Sequence, residues 1–312
     1  KRCRSMAPVV ASLHGSWMGE RDGLVTARRM GEPAVFRNPN DLAILLTAKH
    51  YSKFEKVAAS MADIAVSNSD ATRQDFEQRY GLAGAWNCET VHWGVDDELF
   101  TPFDETIPEH VASRESLRSR YGVSEGSPLI LAVGRLAARK GYTTLLRAFP
   151  LIRESDPRAR LLIVGRGGMK SKLMSQASKM GFSDAIAIES SLPFDELSEV
   201  YRASDLTVFP SYYEGQGLIP LESMSSGVPI VATNEGPIPE MVDENVGALF
   251  EMGDHLSLAE VVIGELSDKE GMARKGDEGR KKVLDKFTFK QSCQRFESIY
   301  RDAMGARLID QS

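Results

Sequence analysis

Two glutamates eight positions apart, Glu214 and Glu222, bracket a stretch composed like a receptor for a phosphate-bearing ligand. It is residues 205–234, DLTVFPSYYEGQGLIPLESMSSGVPIVATN. The stretch reads as an apolar strand at 206–209, a glycine-bearing loop, a short helix, a Gly-Val-Pro break and a second strand at 230–233. In one continuous helix, eight steps of about 100° would leave the two carboxylates roughly 80° apart. Gly215 and Gly217 argue instead that Glu214 sits in the loop and Glu222 one to two turns inside the helix, with Pro220 tolerated in its first turn. The helix then starts near Gly217 and Leu218, whose free amides and positive dipole end suit a diphosphate. Carboxylates beside a diphosphate would repel it, so their fitting task is to accept hydrogen bonds from sugar hydroxyls.

A second group follows the apolar run 129–133: Gly134 and Arg135, then Lys140 and Gly141. Glycine lets the backbone turn sharply at a strand end and approach a ligand. Arg135 offers a planar fork of donors and Lys140 a mobile charge, both suited to phosphate oxygens; solvated surface cations beside a turn would look the same. The run Gly165, Arg166, Gly167, Gly168 reads more plainly as a tight turn. It lacks the spacing and the downstream acid of a dinucleotide fingerprint, which counts against a nicotinamide oxidoreductase. His14 ends another apolar strand, a place where a packed histidine is commoner than a catalyst. The other histidines are scattered and suggest no metal site, and no D-x-D pair flanked by apolar residues points to a metal-held diphosphate.

Strands alternating with helices must position these groups. Between residues 128 and 250, β-rich runs at 129–133, 160–164, 185–188, 206–209, 230–233 and 247–250 alternate with helical patterns at 143–152 and 195–203. This predicts a parallel sheet covered on both faces, an α/β class with Rossmann-like character. Upstream, strands are expected at 8–13 and 62–67 and a strand and turn at 90–96, with helices at 41–61 and 70–80, the latter capped by Ser69. Residues 19–40, which hold Arg21, Arg28, Arg29 and Arg37, read as a flexible connection, and 100–115 as a linker. Helices at 256–266, 271–286 and 289–304 close the chain.

At 312 residues the chain can bury two cores. Its net charge of −6 argues against a nucleic-acid partner. Cys3, Cys88 and Cys293 form neither a disulfide framework nor a zinc pattern, which suits a cytoplasmic setting. No apolar run approaches the ~20 residues of a membrane span. Contact of Trp17, Met18 and the arginines of 21–37 with an anionic lipid at a membrane periphery, or with a phosphorylated acceptor, is the less plain reading beside a solvated surface.

The motifs V-G-R-L-x-x-x-K-G (133–141) and P-S-x-x-E-G-x-G-L-x-x-L-E-x-M-x-x-G-x-P (210–229) together resemble the retaining glycosyltransferases of family 4. Weaker pieces occur in family order at His14-Gly15, Ala62-Asp63, Gly94-Val95-Asp96 and 200–205. The resemblance implies the GT-B arrangement: a partial acceptor-side domain at 1–112, a donor domain at 113–288 and a helix at 289–312 crossing back. It implies that Arg135 and Lys140, with Gly134, hold the donor diphosphate and that Glu222 holds the ribose. Glu214 and the backbone of Gly215, Gln216, Gly217 and Leu218 would meet the sugar, as would His14 from the first domain. Gln216 stands where the family usually has an aromatic. The implied activity is metal-free transfer of a hexose from a UDP- or GDP-sugar, a substrate rather than a cofactor, to a hydroxyl of a sugar, lipid-linked or small-molecule acceptor. Relative to the family the first domain is short at its front, so the resemblance implies either a fragment or a form completed by a partner chain. A catalytically idle subunit that binds donor or partner is the alternative.

Overall fold

The computed structural model describes residues 7–32, 38–84, 86–190 and 192–310. The expectations for Cys3 and Arg37 concern positions outside them. Two parallel sheets organise the chain. The first has three strands in spatial order β1 (Val10–Leu13), β2 (Ile64–Ser67) and β3 (Cys88–Thr90). Helices α1 (Trp17–Arg29) and α2 (Pro39–Met61) connect β1 to β2, and α3 (Asp70–Tyr80) connects β2 to β3. Ser69 caps α3 by accepting from the Thr72 amide, as its position in the sequence predicts.

Helix α4 (Pro108–Arg120) leads to the second half, which continues β4 (Leu129–Val133), α5 (Tyr142–Ser155), β5 (Arg160–Val164), α6 (Lys170–Lys179), β6 (Ile186–Glu189), α7 (Phe194–Ala203), β7 (Leu206–Phe209), α8 (Ile219–Ser225), β8 (Ile230–Thr233), α9 (Ile238–Met241) and β9 (Gly247–Phe250). Its six strands lie in the order β6-β5-β4-β7-β8-β9, all parallel. Helices α10 (His255–Ser267), α11 (Lys269–Lys286) and α12 (Phe289–Asp310) follow. The strand order reverses between β4 and β7, and a reversal of this kind opens a crevice beyond the carboxyl ends of the strands.

Two large apolar clusters fill the two faces of the six-stranded sheet, with Leu145, Leu146, Phe149 and Ile152 of α5 in one and Val200 and Tyr201 of α7 in the other. Smaller clusters flank the first sheet. One of these joins Ile64, Val66 and Val91 to Ile299 and Ala303 of α12. In the opposite direction, Leu24 and Ala27 of α1 enter the core of the second half. Among the described residues no helix is long and apolar enough to cross a membrane.

Three expectations need correction. Residues 19–40 are not a flexible connection: 17–29 form α1, whose buried positions are Gly19, Gly23, Leu24 and Ala27. Residues 100–115 are a linker only in part, because α4 starts at Pro108, a residue favoured in a first turn. Glu222 lies within the first turn of α8 rather than deeper inside it.

Candidate active site

The loops after β4, β5 and β7 meet in backbone contact at the crevice, and glycines make this contact feasible. A Cβ on Gly141 would stand 1.8 Å from the Pro210 carbonyl oxygen, and one on Gly165 equally close to that of Gly134. Gly134 itself has φ +138, a conformation that side chains rarely adopt. The buried Tyr142 hydroxyl donates to the Gly134 carbonyl at 2.9 Å and fixes this turn from below.

Across the β4–β7 junction, Lys140 and Glu214 form an ion pair between side chains that are little exposed. The same carboxylate oxygen, Oε1, accepts from Ser211 Oγ at 2.7 Å. Glu222 Oε2 accepts from the buried Tyr201 hydroxyl at 2.8 Å, while Oε1 has no protein partner among the described residues. Burial pushes the Glu222 carboxyl above its ordinary pKa, partly offset by the Tyr201 bond. Burial and the neighbouring Glu222 carboxylate raise the Tyr201 phenol, which therefore stays a donor.

The opposite wall comes from the carboxyl ends of the first sheet. The His14 ring stacks at a tilt on Trp93, with centroids 4.4 Å apart. Partial burial lowers the His14 pKa from its ordinary 6.5, so the imidazole is neutral at pH 7. The His14 carbonyl lies against Gly215, where a Cβ would come within 2.0 Å. The Gly215 carbonyl in turn accepts from Ser69 Oγ at 2.5 Å and Thr72 Oγ1 at 2.9 Å. Gln216 is buried and bonded to the Trp93 backbone, accepting from its amide at 2.7 Å and donating to its carbonyl at 2.9 Å. The Tyr213 ring lies along Gly15, Gly19 and Gly23 of the α1 region, its hydroxyl accepting from the Ser16 amide at 2.9 Å. Arg139 pairs with Glu20 of α1 at 3.2 Å.

The expected residues therefore fall into groups. Lys140 and Glu214 meet at the β4–β7 junction, Glu222 on α8 is bonded to Tyr201 of α7, and His14, Gly215 and Gln216 form the contact between the two halves. Gly217, with φ +90, and Leu218, the residue capping α8, enter that helix beside them. Exposed Arg135 faces a neighbouring cavity of 410 Å³ shared with Asn38, Asp41 and Arg166. Sequence reasoning missed Tyr201, Ser211, Thr72 and Tyr213 as contributors. The Gly15, Gly19, Gly23 spacing, one residue per helical turn, was the available signal for the face that receives Tyr213. Among the described residues no group of three or more His, Cys, Asp or Glu side chains is placed to hold a metal ion.

Residues 113–282 match the family described as "Glycosyl transferases group 1". A D-inositol 3-phosphate glycosyltransferase of Nocardiopsis dassonvillei is 30% identical over 261 residues, 77% of this chain and 58% of its own length. A GDP-mannose-dependent alpha-(1-6)-phosphatidylinositol monomannoside mannosyltransferase of Mycolicibacterium smegmatis is 29% identical over 254 residues, 79% of this chain and 64% of its own. The chain thus spans about six tenths of the length of these relatives. Sucrose-phosphate synthase from Thermosynechococcus elongatus superposes with a TM-score of 0.75 at 21% identity, over 98% of this chain and 70% of that one. Anabaena HepE in complex with UDP and glucose gives 0.71 at 20%, over 94% and 71%. The shared fold is two Rossmann-like domains, GT-B.

Proposed function

Since this chain belongs to the glycosyl transferases of group 1, we propose that it is a retaining, family 4-type enzyme moving a hexose from a UDP- or GDP-sugar to an acceptor hydroxyl. The observation that supports this most directly is the meeting of Lys140 and Glu214 from neighbouring strand ends at the reversal of the sheet; α8 adds a Glu222 oxygen without a protein partner among the described residues. In this reading Lys140 and Arg135 neutralise the diphosphate, Glu222 accepts from the ribose hydroxyls, and Glu214 and His14 face the sugar. The acceptor oxygen bonds to the anomeric carbon as the bond from that carbon to the diphosphate breaks on the same face. The acceptor proton passes to the departing phosphate oxygen. Cations fixed where charge develops on the leaving group lower the barrier without a metal. The names of the relatives, which include GDP-mannose and phosphatidylinositol, favour a nucleotide-sugar donor and a polyol-type acceptor.

Calorimetry with UDP-glucose and GDP-mannose tests the reading. Glu222→Ala is expected to weaken the preferred donor by roughly tenfold or more, the loss of a charged hydrogen bond. Equal binding by both proteins would remove the ribose assignment. Release of labelled sugar to acceptor should fall about 10²–10³-fold in Lys140→Ala, and undiminished transfer would remove the role of that lysine.

A further inference from the structure

We infer that the cavity between α1, α3 and the loop after β7 receives an uncharged polyol and excludes phosphorylated ones. The inference rests on the glycosyltransferase reading and names the acceptor class for that site. The cavity encloses 240 Å³ and has in its wall Glu214, the residue assigned to the sugar. This volume corresponds to about eight waters, the room of one sugar ring.

Its charge decides the class. Asp22 of α1, Asp75 of α3, Glu214 and Glu235 line it, and Arg79 is the sole cation among the described lining residues. That guanidinium is already committed: it pairs with Asp22 at 2.9 Å and with Asp75. Asp75 also accepts from Ser16 Oγ, and Arg21, outside the wall, reaches Asp22 at 3.5 Å. Lys140, behind Glu214 and paired with it, is taken by the donor diphosphate in the reading above. A phosphate entering here would meet surplus negative charge and no unclaimed cationic fork, a repulsion that partial burial strengthens. Hydroxyls, in contrast, can donate to the carboxylate oxygens, and Thr26 and Thr72 add small polar groups to the wall.

The test compares methyl α-D-mannopyranoside with mannose 6-phosphate by calorimetry on the full chain preloaded with UDP or GDP, whichever it binds. The neutral glycoside should bind, and the phosphorylated sugar at least tenfold more weakly. In Asp22→Asn/Asp75→Asn, which releases Arg79, the ratio should shift toward the phosphorylated probe by roughly tenfold. If the double variant does not fold, Asp22→Asn alone, at the more exposed carboxylate, should shift it in the same direction. Equal or tighter binding of mannose 6-phosphate by the wild type, an unshifted ratio, or no binding of either probe would overturn the inference. Nucleotide binding in the preloading step is read separately: its presence alongside such a failure leaves the glycosyltransferase reading standing, and its absence counts against that reading instead.

Discussion

Glu222 shows how burial sets both a stability and a binding condition. Its carboxyl titrates above the ordinary 4.5 because burial disfavours the charged form. The sign follows: the native state holds this proton more tightly than the unfolded chain, so the contribution to stability is complete below pH 4.5 and is lost as pH rises through the raised native value. Glu222→Gln, which cannot ionise, should therefore gain thermal stability relative to wild type on going from pH 4.5 to pH 7.5. A melting-temperature difference that stays constant over this range would refute the account. Glu214 was legible as a loop carboxylate from its flanking glycines. Its pairing with Lys140 was not, since the two lie in different loops and only the parallel register of β4 with β7 brings them together.

Helix α1 is held by an aromatic side chain on a face without side chains. A Cβ on Gly19 would come within 2.5 Å of the Tyr213 hydroxyl and 2.6 Å of its ring. Gly19→Ala should therefore cost about 1–3 kcal/mol through overpacking, despite the higher helix propensity of alanine. Pairing it with Tyr213→Ala should recover part of that loss, which a double-mutant cycle of melting curves measures; simple additivity would count against the contact. The same face explains why α1 was illegible in sequence. Two glycines and an alanine beside one leucine at the buried positions give little apolar periodicity, whereas the strands of the second half, mostly buried apolar runs, were readable to within a residue. Helix α4 hid for a related reason: Leu117 is its buried position, and Arg114 and Arg118 tie it to the end of α7 by donating to the carbonyls of Arg202 and Ala203. Sequence hydropathy records those contacts as solvent-facing charge.

The two halves are clasped by more than the crevice loops. Glu240, in α9, accepts from the Asp70 and Ala71 amides at 3.0 and 2.7 Å, so that a carboxylate from the second half caps α3 of the first. It also bonds His92 Nε2 at 2.7 Å. Glu240→Ala should leave these groups unpaired, at a local cost of roughly 1–3 kcal/mol. Amide hydrogen exchange at residues 70–73 should then speed up about tenfold, and unchanged protection would show that the clasp carries no weight. Charge capping of this kind, contributed from a distant loop, leaves no pattern within the sequence of either element.

One face of the three-stranded sheet owes its cover to α12, which follows every strand of the other half in the chain. A ribosome therefore delivers the first sheet long before the helix that shields it, and long-range contacts of this kind form late. The later-made half, with its own dense core, is the part able to consolidate first. The earlier-made strands keep one apolar face uncovered until α12 has been made.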